Sequence, residues 1–134
     1  MIHPSLFLRR ALQADAIFSG VAALMFVFGA SLFASLTNLP EVFLRNTGFV
    51  LVVYAALVGY LGTRTMMAKA AVWTVIAVNA IWAVDSIALL ASGLLSPNLF
   101  GQALIVMQAV AVGVFAELQF IGLRRSAAGD VVAH

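Results

Sequence analysis

A chain of 134 residues has room for one domain, yet 64% of this one is apolar and only 9% is charged, against roughly 45–50% and about 25% in soluble domains. No soluble fold of that size can bury so much apolar surface, so a second apolar phase, the bilayer, must cover it. The absence of cysteine excludes disulfide scaffolds, thiolate metal sites and thiol redox chemistry.

The first run without charge, from Ala16 to Pro40, predicts a helix over about 16–36, because about 20 residues at 1.5 Å rise span the hydrocarbon. It exceeds the roughly 7–15 apolar residues of a secretory signal and has no clean A-x-A site, so it reads as an uncleaved first span. Thr37-Asn38-Leu39-Pro40-Glu41 makes a tight turn into a second helix, about 42–62, which Gly62-Thr63-Arg64-Thr65 closes. From Ala70 to Ala116 the only charge is Asp85, and the stretch is too long for one crossing. Ser96-Pro97-Asn98 divides it, with Ser96 as cap and Pro97 in the first turn. The third and fourth helices then cover about 70–94 and about 97–124. Short connections make neighbours antiparallel, so residues 1–125 form one all-α, up-down-up-down bundle of four transmembrane helices. The stretch 126–134 is a short polar tail, small enough to be disordered.

The formal charge of +2 flanks apolar segments and reads as topology, not as a nucleic-acid surface. Arg9, Arg10, Arg64, Lys69, Arg124 and Arg125 fall on one side of the bundle and only Arg45 on the other. That asymmetry places both termini in the cytoplasm of a bacterial inner membrane, by the positive-inside rule.

Polar residues within spans carry the functional signal, because an Asp at a helix centre costs about 2.5–3.5 kcal/mol to insert. Asp85 is predicted near mid-membrane, about 13 Å from the outer end of the third helix. Asn79, Trp82 and Ser86 form a polar arc with it at helical spacing, and Gln108 on the fourth helix reaches the same depth. The arc is either glue between helices or the lining of a path. At the inner end, Asp15 and Glu117 are expected to pair with Arg9, Arg10, Arg124 and Arg125 in an interfacial cluster. Ala109, Gly113 and Glu117 repeat every four residues, a spacing that permits close helix approach.

The only histidines, His3 and His134, lie outside the spans, so no paired-histidine haem site is available. No Walker motif, dinucleotide loop or H-E-x-x-H occurs. Neither a metal, a cofactor nor a catalytic set is expected.

Arg9-Arg10-Ala11-Leu12, the stretch from Ala71 to Trp82, and Phe115-Ala116-Glu117-Leu118-Gln119-Phe120-Ile121-Gly122-Leu123-Arg124-Arg125 resemble a family of small uncharacterised four-helix integral membrane proteins of proteobacteria. The resemblance covers nearly the whole chain and implies no activity. The leading expectation is a non-enzymatic bundle acting by association within the membrane, as a homo-oligomer or as an accessory subunit of another membrane protein. The second is a small proton- or ion-coupled transporter using Asp85. An enzyme acting on lipids or quinones ranks third, since the carboxyls do not converge.

Overall fold

The computed structural model describes the backbone of residues 1–133 and the side chains of residues 1–126. Five helices follow in order: α1 (Leu6–Phe28), α2 (Ala30–Thr37), α3 (Glu41–Gly62), α4 (Lys69–Ser92) and α5 (Leu99–Ala133). All but α2 are long and apolar enough to cross a membrane. α3 and α4 begin and end within two residues of the spans expected from hydropathy.

The first span departs from expectation at both ends. Its helix begins at Leu6, where the Ser5 hydroxyl caps it by accepting the Leu8 amide at 3.1 Å, so Arg9, Arg10 and Asp15 all lie inside it. Measuring from the first charge-free residue started the span ten positions late. A charge does not end a helix whose backbone stays hydrogen-bonded, provided the side chain has a partner or a route to the interface. At the end of the bundle away from the N-terminus, termed outer as the charge bias would have it, Gly29 separates α1 from α2. A Cβ at Gly29 would meet the Met25 carbonyl at 2.7 Å, so the chain bends where the residue lacks one.

The turn after α2 uses Asn38 in the left-handed region (φ 57°), which asparagine adopts more readily than other non-glycine residues. Asn98, not Ser96, starts α5, its Oδ1 accepting the Gly101 amide at 2.8 Å. The same side chain donates to the Leu36 carbonyl at 2.7 Å, and Asn38 donates to the Ser96 carbonyl at 2.7 Å. These bonds tie the two outer turns together. At the opposite end of the bundle, which carries the N-terminus and is termed inner, Ile2 pairs with Met67 through both backbone bonds, at 2.8 and 2.9 Å, and the Ser5 amide donates to Ser126 Oγ. α5 runs on to Ala133 through the stretch expected to be a separate tail, while His134 lies outside the described residues.

α1 packs closely on α3 and on α5, and α4 packs on α5. The order around the bundle is therefore α3, α1, α5, α4, with α3 and α4 not packed on each other along their lengths. The main apolar core lies at the inner half, around Leu8, Leu12, Val58, Met67, Val72 and Leu123. A smaller one at the outer end joins Ala30, Leu39 and Leu44.

Candidate functional site

Two features share the interior, a closed polar hub and an open apolar cavity. The hub is built by one side chain from each long helix: Asp15 of α1, Tyr54 of α3, Asn79 of α4 and Gln119 of α5. From the inner ends of their helices (Leu6, Gly62, Lys69 and Ser126) they stand about 10–15 Å deep at 1.5 Å per residue. Asp15 and Gln119 are fully buried and Asn79 nearly so. Asp15 Oδ2 accepts from Gln119 Nε2 at 2.7 Å and from Asn79 Nδ2 at 2.9 Å, and it lies 2.6 Å from the Tyr54 hydroxyl. Asn79 Nδ2 also donates to Gln119 Oε1 at 2.9 Å, and Asn79 Oδ1 lies 2.8 Å from the Tyr54 hydroxyl. Ser19, one turn along α1, donates to Asp15 Oδ1 at 3.2 Å.

This overturns the inner-end cluster expected from sequence. Asp15 meets none of the arginines. Arg9 Nε points to the Gly62 carbonyl at 3.5 Å, beside Gln13 Nε2 at 3.0 Å. Arg124 lies over the Phe120 ring and Arg125 over the Phe7 ring. Glu117 and Arg10 are exposed, and among the described residues the single ion pair is Arg45 with Glu41 at 2.9 Å. The reason is rotational. Gln119 and Glu117 are two positions apart, about 200° around the helix, so burying the amide turns the acid outward.

The expected arc on α4 divides in the same way. Asn79 belongs to the hub. Trp82 Nε1 donates to Gln108 Oε1 at 3.0 Å, a bond between α4 and α5 that the shared depth had suggested. The Ser86 hydroxyl donates back to the Trp82 carbonyl at 2.7 Å. Asp85 is exposed and has no hydrogen-bond or ion-pair partner among the described residues. Asp85, Ser86, Trp82 and Gln108 all line a cavity of about 810 Å³, whose remaining wall is mainly apolar, including Phe18, Met25, Phe33, Phe43, Leu89 and Met107. A second void of about 80 Å³ lies between cavity and hub, sharing Ser19, Leu51, Val78, Trp82 and Val112 with the cavity and reaching Tyr54 and Asn79. α3 and α4 are the neighbouring long helices that lack close packing on each other, so the seam between them is an open flank of the bundle.

Sequence reasoning missed Tyr54, Gln119 and Ser19. The available signal was depth: Asp15, Tyr54, Asn79 and Gln119 are polar positions at matched distances from four inner helix ends. The hub's oxygens come from one carboxylate, one phenol, one hydroxyl and two amides, and among the described residues no group of three or more acids, histidines or cysteines converges. Chemically the arrangement can hold a proton and orient four helices, while the cavity can hold a molecule of small-ligand size, for which pockets run about 300–1,000 Å³. No protein-family model, curated protein or solved structure matches this chain, so the reading of its site rests on this geometry.

Proposed function

We propose that this is a non-enzymatic bundle that binds an amphiphilic molecule from the bilayer, one with an apolar body and a cationic or hydrogen-bond-donating head. The observation that carries the reading is Asp85, an acid without a partner among the described residues, on the wall of a mainly apolar cavity of about 810 Å³. An unpaired carboxylate within the span costs several kcal/mol, and a basic head beside it offsets that cost while the cavity takes the tail. The seam between α3 and α4 supplies a route from lipid. The reading favours the Asp85-centred carrier expected second from sequence over the association expected first.

Trp82 gives the test. In a Trp73→Phe background it is the one remaining tryptophan, and a brominated long-chain amine entering the cavity should quench it saturably. Ala22→Phe, which fills the cavity from α1, should weaken the apparent affinity at least about tenfold, since it removes contacts throughout the apolar body. Asp85→Asn should abolish the preference for the amine over the matching alcohol. Non-saturable quenching, unchanged by Ala22→Phe, would refute the proposal.

A second reading, association through α5, has its own observation. Glu117 is exposed about 13 Å from Ser126, without a partner among the described residues, and a Cβ at Gly113 on the same stripe would meet open space. A second copy or another membrane protein docking there would cover both. For localisation, the six-to-one bias in Lys and Arg supports cytoplasmic termini in a bacterial inner membrane, as would the proteobacterial resemblance. A C-terminal fluorescent protein that needs the cytoplasm should glow and a C-terminal alkaline phosphatase should be inactive. The reverse pattern would overturn the orientation.

A further inference from the structure

Hydrogens can be counted in the hub. Its side chains make six short polar contacts: Tyr54 with Asp15, Tyr54 with Asn79, Asn79 with Asp15, Asn79 with Gln119, Gln119 with Asp15 and Ser19 with Asp15. Each contact between electronegative atoms at this range needs one hydrogen between them. The Tyr54 phenol has one to give, the Asn79 amide gives two, Gln119 gives one to Asp15, and Ser19 gives one. That leaves one contact short. Turning either amide over does not help, because it sets Asn79 Oδ1 or Gln119 Oε1 against another acceptor, or two NH₂ groups against each other. A proton on Asp15 Oδ2 completes the set: Asp15 then donates to Tyr54, and Tyr54 donates to Asn79 Oδ1.

We propose that Asp15 is a proton-binding site whose occupancy decides whether α3 is tied to α4. Without the proton, Tyr54 has a single hydrogen for two acceptors, and the carboxylate, at 2.6 Å and charged, takes it. Asn79 Oδ1 and the Tyr54 oxygen are then two acceptors 2.8 Å apart, and they repel. That contact crosses the open seam, where close packing between α3 and α4 is lacking. Proton loss therefore separates the two helices at the floor of the cavity, beside the void that Tyr54 and Asn79 line. The groups facing Asp15 are Ser19 from its own helix, Tyr54 from α3, Asn79 from α4 and Gln119 from α5. Among these Tyr54 is the only other titratable group, and no Lys or Arg among the described residues bonds to Asp15.

The inference is independent of what fills the cavity, and its test needs no ligand. Infrared spectra of the protein in lipid bilayers should show a protonated carboxylic C=O band that persists in Asp85→Asn and disappears in Asp15→Asn. Spin labels on Val53→Cys and Val84→Cys, both exposed and away from the cavity wall in a chain free of cysteine, report the distance between α3 and α4. That distance should lengthen over the same pH range in which the Asp15 band fades. In Tyr54→Phe it should be long at every pH, while the Asp15 band still titrates. Absence of an Asp15 band at all pH values in the folded protein overturns the proposal. So does a distance that ignores the loss of the band, or one that keeps its pH dependence in Tyr54→Phe.

Discussion

Asp15→Leu should destabilise the bundle by about 2–4 kcal/mol, whereas Asp85→Leu should leave stability unchanged or raise it. The first replacement removes the carboxyl group that Tyr54, Asn79 and Gln119 all contact, and leaves the Asn79 and Gln119 amide donors short of their acceptor. A buried donor left without a partner costs about 1–3 kcal/mol. The surviving bonds, between Asn79 and Gln119 and from Tyr54 to Asn79 Oδ1, limit the total. Asp85 has no such dependants among the described residues, and replacing an acid by leucine within a span is favourable by about 3 kcal/mol on the insertion scale. Thermal or denaturant unfolding in one detergent checks both. Amine quenching of Trp82 adds the other half of the contrast: Asp85→Leu should fold well and lose binding. If Asp85→Leu unfolds the protein while Asp15→Leu does not, the roles assigned to the two acids are reversed.

The contrast also marks where sequence stops being informative. Hydropathy and turn residues are local, so the bounds of α3 and α4, the outer turn at Pro40 and the division near Pro97 were all legible. That Gln108 could reach the polar arc on α4 was legible too, because both stand at similar depth on neighbouring helices, although Trp82 was not singled out as its partner there. Asp15 was misplaced by a rule that lets charge mark the end of a span, when the Ser5 cap ten residues earlier marks it. Once Asp15 sat at the interface, Gln119 and Tyr54 had no reason to stand out. The choice of Gln119 over Glu117 depends on the rotation of α5 about its axis, which is set by contacts with α1 and α4 and by no feature of α5 alone. The cavity was hidden for a related reason: it follows from which helix pairs pack, and sequence order suggests α3 beside α4 where the fold keeps them apart.

Glycine positions should separate in sign when each is changed to alanine. At an unconstrained position within a helix the change gains about 1 kcal/mol from propensity. Gly113 is such a position, since a Cβ there meets nothing within 4 Å, so Gly113→Ala should raise the melting temperature. At Gly48 a Cβ would lie 2.9 Å from the Val27 backbone nitrogen, and at Gly122 it would lie 2.8 Å from Leu8 Cα. Both obstacles are main chain of α1, which cannot rotate aside as a side chain would. α1 would have to move away from α3 or from α5, at an overpacking cost of about 1–3 kcal/mol, enough to exceed the propensity gain. Gly48→Ala and Gly122→Ala should therefore lower the melting temperature, although the sequence stripe through Ala109 and Gly113 had pointed to the latter as the close contact. Equal gains at all three glycines would show that α1 does not approach α3 and α5 this closely. Gly113→Leu then isolates the association reading: monomer stability should hold, and an oligomer that dissociates on this change alone would place the Gly113 and Glu117 face between copies, whereas an unchanged size would leave that face to lipid.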